Sequence, residues 1–435
     1  MTEAAFILWH FVRTRWLPPP SPRARLRRFL RRTVRECPHY RGVEPELENF
    51  PLLTKRSFLE HFGELNRPGI TLGEATAAAL RAERERDFQP TLRDGVTVGL
   101  SSGTSGSRHV FLAGRRDRCR WAGQILARML SAESLRQLVD PWAPPLRIAL
   151  FLRANSNLYT TLRSRRVRFD YHDLTRPFED LMMDLETRPP HILVAPATVL
   201  AEIARRVLRQ AASGNPFSGL RQVISVAEVL DRRDRDLIER AFSLPVGQIY
   251  QAAEGFLGST CAQGRIHLNE DHMHIERRWM DDRRERFQPV ITDFSRHTQW
   301  FVRHLLTDVL RPAATPCPCG ARTTSLEGIE GREEEILWSR EVGSGRLGPV
   351  FPDVLRQALY AMEEPPEQYR IEQHGERWVV QLSPCTPPME TAVRAALASL
   401  LEGLRLKPPP LQFETWYAQP PGEKQKRLRC VTPPP

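Results

Sequence analysis

The densest run of chemistry-bearing side chains is Ser101, Ser102, Gly103, Thr104, Ser105, Gly106 and Ser107, inside GLSSGTSGSRHVF. Glycines let a backbone approach a ligand closely, and exposed amides with hydroxyls cradle phosphate oxygens. The lysine that completes a Walker loop is absent, and a flexible Ser/Gly turn accounts for the run equally well. A second set is Cys261-x5-His267 followed by Cys317-x-Cys319 and Gly320. Three thiolates and one imidazole make the tetrahedral Cys3His donor set of a closed structural zinc site. His272 and His274 compete with His267 for the imidazole position, and four reduced residues in neighbouring loops are the alternative. The other cysteines, Cys37, Cys119, Cys385 and Cys430, have no such spacing. Glu254 and the basic run GEKQKRLR, taken alone, read as a capping carboxylate and a solvated tail.

These groups need elements to hold them. VTVGL, RIALFLR, HILVAPA, RQVISVA and GQIYQ are short apolar runs suited to buried strands. TVLAEIARRVLRQAA and DRRDRDLIERAF between them have helical periodicity. Strands alternating with helices predict an α/β fold, with parallel-rich sheet flanked by helices. From about residue 335 the texture changes: VFPDVLRQALY, YRIEQHGERWVVQLSP, METAVRAALASLLEGL and LQFETWYAQ read as helix, hairpin, helix and strand. The expected division is therefore a core over 1–333, with a helical N-terminal region, and a small α+β domain over 334–435.

A chain of 435 residues suggests two or three such units, and 41% apolar with 26% charged residues argues against disorder. No apolar run approaches the roughly 20 residues of a membrane-spanning helix. AAFILWHFV follows Glu3 and lacks a small-residue cleavage site, so no ordinary signal peptide is expected. Seven cysteines then read as reduced thiols or metal ligands in a cytoplasmic protein. The net charge of +11 is most concentrated in PRARLRRFLRRTVREC, where Leu26, Phe29, Leu30 and Val34 share a helix face. A solvated amphipathic helix explains it, with contact to anionic lipid or an acidic partner as the alternative. No basic-and-aromatic signature accompanies it, so no nucleic acid is expected.

SSGTSGS resembles the signature loop of the adenylate-forming superfamily, which includes acyl-CoA synthetases, peptide-synthetase adenylation domains and luciferases. Where that family carries a lysine this chain has His109, preceded by Arg108, which would supply the charge. Further matches follow in the family's order. SVAEVL resembles the segment lying against adenine, at Ala227 and Glu228. YQAAEG resembles the aromatic-x-x-Thr-Glu motif, which puts Tyr250 beside adenine and Glu254 on magnesium, with Ala253 in the threonine's place. HLLTDVL gives Asp308 the ribose hydroxyls, a role suited to a carboxylate fork. IEGREEEIL resembles the hinge, with Arg332 near the nucleotide and Glu333 to Glu335 as its acidic residues. GEKQKRLR resembles the element that delivers the catalytic lysine, Lys424, with Lys426 as the alternative because Glu423 replaces a glycine.

The branch resembled is the phenylacetate–CoA ligase group, close to enzymes related to a deazaflavin-coenzyme adenylating synthetase. The resemblance rests on PLLTKRSFLEHFGELN, the short C-terminal domain and the Cys/His set. Similar CPCG and C-x5-H elements in that branch imply zinc here. The resemblance implies ATP-dependent adenylation of a carboxylic acid, in this branch an aryl acid, then transfer to coenzyme A or another thiol. The chemical need is plain: carboxylate oxide is too poor a leaving group, and acyl-AMP replaces it. Asn155, Asn157 and Tyr159, in FLRANSNLYTTL, fall where relatives form the acyl pocket, and Tyr159 has a core role as its alternative. A mobile C-terminal domain, turning about Arg332 to Glu335, would separate the half-reactions. The acceptor stays open among coenzyme A, a carrier protein, an amine and a hydroxyl. A non-catalytic nucleotide-binding relative is the rival from another class, and a homodimer is one assembly to consider.

Overall fold

The computed structural model describes residues 2–17, 21–100, 110–153, 157–210, 217–418 and 426–434. The chain divides into two compact units. The first comprises Met1–Leu306 with Pro312–Gly328, and the second Thr307–Arg311 with Ile329–Pro435.

Five strands of the first unit run parallel, in the spatial order Val167–Asp173, Leu146–Leu152, Ile192–Ala195, Gln222–Val226 and Val246–Ala252. Gly255–Thr260 and Ile266–Leu268 continue the sheet antiparallel. Side chains alternate across a strand, and here both faces are apolar. Ile148, Leu150, Ile192, Val194 and Ile224 enter one core with Trp121, Ile125 and Leu126 of the helix Arg115–Met129. Ala149, Phe151, Leu193, Ala195 and Val223 enter another with the helices Phe178–Thr187, Ala197–Arg209 and Arg232–Phe242. Double-sided burial is why ILVA reads as an unbroken apolar run, every residue of it buried. Helix Ala197–Arg209 buries Leu200, Ile203, Ala204 and Val207 along one stripe.

Two strands differ from the sequence expectation. VTVGL forms Thr97–Leu100, but this pairs antiparallel with Val110–Ala113 in a separate two-stranded sheet. Its burial alternates: Thr97 and Gly99 are buried, while Val98 and Leu100 are partly buried and pack on the cluster that holds Phe29, Phe58 and Trp300 to Val302. Val167–Asp173 carries Arg168 and Asp170 and so lacks the apolar run that marks its neighbours. It lies at the sheet edge, where charged side chains are tolerated and discourage further pairing. The basic helix Pro22–Glu36 buries Phe29 and Leu30, with Leu26 and Val34 packed beside them, as an amphipathic helix should.

The second unit is built on the hairpin Gln368–His374 and Arg377–Ser383. Leu411–Thr415 and Leu428–Thr432 add to it in parallel on either side. Helices Pro352–Tyr360 and Pro387–Gly403 cover a core around Trp378, Val380, Leu382 and Leu397. The last strand is the end of the run that resembles a basic tail. Thr307–Arg311 joins this unit because Glu333 donates its backbone N–H to the Thr307 carbonyl (2.7 Å) and Arg332 pairs with Asp308. The crossing at Gly328/Ile329 falls a few residues before the expected 333/334 division.

Helix Glu3–Arg15 lies so close to helix Arg115–Met129 that a Cβ on Gly123 would sit 2.5 Å from the Ile7 carbonyl oxygen. Gly123→Val is therefore expected to cost about 1–3 kcal/mol. Amide exchange in Glu3–Arg15 should accelerate at the same time. Unchanged exchange and an unchanged unfolding midpoint would contradict this packing.

Candidate functional site

Three adjacent parallel strands deliver the residues of interest at their C-terminal ends, where open α/β sheets place their ligand sites. After Gln222–Val226 the backbone turns through Ala227 at φ +64°, a left-handed conformation that a non-glycine residue adopts at a cost. The turn sends Glu228 toward the next strand's helix. Its carboxylate accepts from the Thr198 backbone N–H (3.1 Å) and hydroxyl (2.8 Å). Thr198 lies in the first turn of helix Ala197–Arg209, whose unpaired N–H groups favour an anion. The Glu228 side chain thus has a structural task, while its backbone lines the strand end.

After Val246–Ala252 come Ala253, whose carbonyl accepts from Arg296 Nη2 (3.0 Å), and the buried Glu254. Glu254 Oε1 lies 3.5 Å from His304 Nε2. The His304 ring stands edge-on to Phe58 and Phe301, which fix its plane. Asp293 lies beside this turn: a Cβ on Gly255 would be 3.4 Å from its Oδ2. Asp293 accepts from the Ser295 amide and hydroxyl, and burial raises its pKa. Tyr250 is buried on the strand itself. Sequence reasoning missed His304, Asp293 and Arg296. Their signal was the polar interruption of FQPVITDFSRHTQWFVRHLL, a stretch buried almost throughout. Tyr159 packs on the edge of the core, its ring 5.7 Å from Trp121 and T-shaped to it. Ser101 to Gly106, Arg108, His109, Asn155 and Lys424 lie outside the described residues, as does the Asn157 side chain.

Within the second unit, Arg332 Nε stands 3.4 Å from Asp308 Oδ1. Gly331 precedes it at φ +136°, and a Cβ there would meet Glu335 Oε2 at 2.5 Å, so glycine is required twice over. Arg356 clasps the segment, donating to the Glu330 carbonyl (2.7 Å) and to Glu335 (3.1 Å). Burial raises the Glu335 pKa despite that partner. Lys426, the alternative lysine, donates to Glu334 (2.9 Å).

The Cys/His set is brought together inside the first unit. The ligand atoms of Cys261, His267, Cys317 and Cys319 all lie within 4.8 Å of one another. Bond lengths of about 2.3 Å to sulfur and 2.05 Å to nitrogen give tetrahedral edges of about 3.8 Å (S–S) and 3.6 Å (S–N). The observed Cys261–Cys317 separation is 3.7 Å, and Cys319 Sγ is 3.4 Å from His267 Nε2. His267 Nδ1 faces the Thr323 carbonyl at 3.3 Å, an outer partner that would fix the ring. The Cys319 backbone N–H, then His267 and the other two thiols, lower the Cys317 thiol to about 6. His272 does not join the set: its Nε2 is 3.1 Å from Asp271. Neither does His274.

His10 and His272 of the first unit are buried and His297 is half-buried. His10 is lowered to about 3, and His272 and His297 to about 4, chiefly by desolvation and then mainly by charges that include Arg120. These folded pKa values lie below the unfolded value of about 6.5. Below that value the unfolded chain binds more protons, so stability is full above pH 6.5 and falls as pH drops toward 4. The unfolding midpoint should decline between pH 7 and 5, with a shallower slope in His10→Asn. An equal slope in that variant would contradict the assignment.

Neither protein-family models nor curated proteins give a match. Solved structures do. A 2-hydroxyisobutyryl-CoA ligase in its postadenylation state, complexed with 2-HIB-AMP, aligns over 94% of this chain and 88% of its own (TM-score 0.65, 17% identity). The same ligase in complex with 2-HIB-AMP and CoA, in the thioesterification state, aligns over 100% and 94% (TM-score 0.55, 17% identity). An anthranilate CoA ligase, AuaEII, in complex with anthranoyl-AMP, aligns over 76% and 66% (TM-score 0.50, 14% identity). At these identities the likeness is one of fold. The α/β core with its C-terminal sheet unit has the fold of the adenylate-forming ligases. Among the described residues, no helix is long and apolar enough to cross a membrane.

Proposed function

We propose that this chain is an ATP-dependent acid–thiol ligase that adenylates an aryl carboxylic acid and passes the acyl group to a thiol such as coenzyme A. The observation that carries the reading is the fold shared over 94% of the chain with a ligase solved with an acyl-adenylate. Glu254 at a strand end and the Asp308–Arg332 pair support it, since they fall on the motifs that resemble the family's. A substrate carboxylate oxygen would attack the α-phosphorus, forming the mixed anhydride and releasing pyrophosphate. A thiol sulfur would then attack the acyl carbon, lose its proton and release AMP.

The chain's task is to align two anions and hold their charge in a dry site. Residues 101–106 would cradle the phosphates, Ala227, Glu228 and Tyr250 would flank adenine, and Asp308 would take the ribose hydroxyls. Glu254 would hold magnesium, which when bound offsets phosphate charge, and His304 would keep that carboxylate in place. Lys424 would meet the developing charge in the first half-reaction, with 334–435 as the domain that carries it. The preference for an aryl acid rests on the resemblance, since Tyr159 packs on Trp121 at the edge of the core.

Acid-dependent exchange of labelled pyrophosphate into ATP tests the reading. Exchange is expected with an aryl acid, lost in Glu254→Gln and reduced about 100-fold or more in Lys424→Ala. No exchange with any aryl or fatty acid, despite ATP binding, would reject carboxylate adenylation. It would favour AMP transfer to a hydroxyl or a non-catalytic role.

We also propose that Cys261, His267, Cys317 and Cys319 hold a structural zinc, because the four donor atoms gather within 4.8 Å and two of their separations, 3.7 and 3.4 Å, match the edges expected around the ion. Purified protein should carry about one zinc per chain, lost in Cys317→Ser. Less than about a tenth of an equivalent, without chelators, would reject the site.

A further inference from the structure

A second group of ligating side chains lies in the N-terminal part of the first unit. His39, His61 and Glu64 bring their ligand atoms within 4.8 Å of one another. Both imidazoles turn Nδ1 to one carboxylate. His39 Nδ1 is 3.6 Å from Oε2, and His61 Nδ1 is 3.6 Å from Oε1. The two rings are 4.3 Å apart between centroids and tilted by 43°. One carboxylate can neutralise only one imidazolium, so two protonated rings at this distance would repel each other. A single divalent ion, in contrast, satisfies both ring nitrogens and the carboxylate at once.

The spacing suits such an ion. Bonds of about 2.0–2.2 Å to nitrogen and oxygen give donor–donor edges of about 3.4 Å, and each imidazole stands 3.6 Å from its own oxygen of the Glu64 carboxylate, which can share the ion through both. The backbone beneath is fixed independently. Cys37 and Tyr40 flank His39, Phe62 and Leu65 flank the other two, and all four are fully or almost fully buried. Tyr40 N–H donates to the Cys37 carbonyl, Glu64 N–H donates to the His61 carbonyl, and Cys37 Sγ donates to the Glu64 carbonyl at 3.4 Å. Ligands presented from anchored turns lose little freedom on binding. Side-chain exposures of 16% for His39, 42% for His61 and 52% for Glu64 leave the ion an entry path and room for water ligands.

We propose that His39, His61 and Glu64 form a second metal site, distinct from the cysteine cluster, that takes a divalent transition ion of imidazole preference such as zinc or nickel. Two imidazoles and one carboxylate without thiolate fit that class. The ion would tie the turn Pro38–Tyr40 to the segment after helix Lys55–Glu60, and would keep open positions for exchange.

The test is a Ni2+ titration of the untagged full-length chain by calorimetry, with metal analysis after desalting. Wild type should bind one nickel that does not require the cysteines, so Cys319→Ser retains it. His39→Ala and His61→Ala should each weaken that event at least about tenfold, the least that ligand loss costs relative to outer-shell changes. Glu64→Gln, which preserves size and fold, should weaken it as well. No nickel event beyond one abolished by Cys319→Ser would overturn the proposal. So would an affinity unchanged in the two histidine variants or in Glu64→Gln.

Discussion

The burial of the central parallel strands Leu146–Leu152, Ile192–Ala195 and Gln222–Val226 on both faces governs the architecture of the first unit. A strand such as Ile192–Ala195 has no solvent face, so a functional polar group has nowhere to sit except at its end. Neighbouring strands therefore release their polar residues at their C-terminal ends: Thr198 after the first, Glu228 after the second and Glu254 after the third. The helix that follows Ala195 begins at that same end and presents its unpaired N–H groups there. Glu228 answers part of that field through Thr198. The price of the arrangement is local, a left-handed Ala227 at φ +64°.

Glu254 shows how such a residue is held without a rigid element of its own. It lies in a turn, yet its carboxylate meets His304, and His304 stands edge-on to the stacked pair Phe58 and Phe301. Asp293 and Arg296 brace the turn from beside it, through the Ser295 hydrogen bonds and the Ala253 carbonyl. The second unit solves a similar problem with arginine. Arg356 grips Glu330 and Glu335, leaving Arg332 between them to face Asp308, and Lys426 is held by Glu334.

The sequence made the central strands legible because their burial removes polar residues, and it made the C-terminal hairpin and helices legible by period. Val167–Asp173 was not legible, since edge position relaxes that demand and Arg168 and Asp170 break the pattern. VTVGL forms the strand its apolar run predicts but lies outside the parallel sheet, because a short apolar run does not specify its partner. Of the candidate site, the Cys/His set could be read from donor types and spacing, and the structure gathers all four residues. Of His267, His272 and His274, which spacing leaves open, His267 is the one that lies beside the three cysteines. His304 and Asp293 were hidden, because a buried polar residue in an apolar run is indistinguishable from a core defect until its partner across the fold is seen. The trio His39, His61 and Glu64 escaped notice for a related reason: His39 lies more than twenty residues before the other two.

The central claim is that a nucleotide binds where the parallel strands end. The most direct measurement is hydrogen–deuterium exchange with and without a non-hydrolysable aryl acyl-adenylate analogue. The account predicts slowed exchange confined to peptides covering 97–113, 226–230, 250–256 and 304–310. Binding of the analogue with protection elsewhere, and none in the 226–230 and 250–256 peptides, would contradict it.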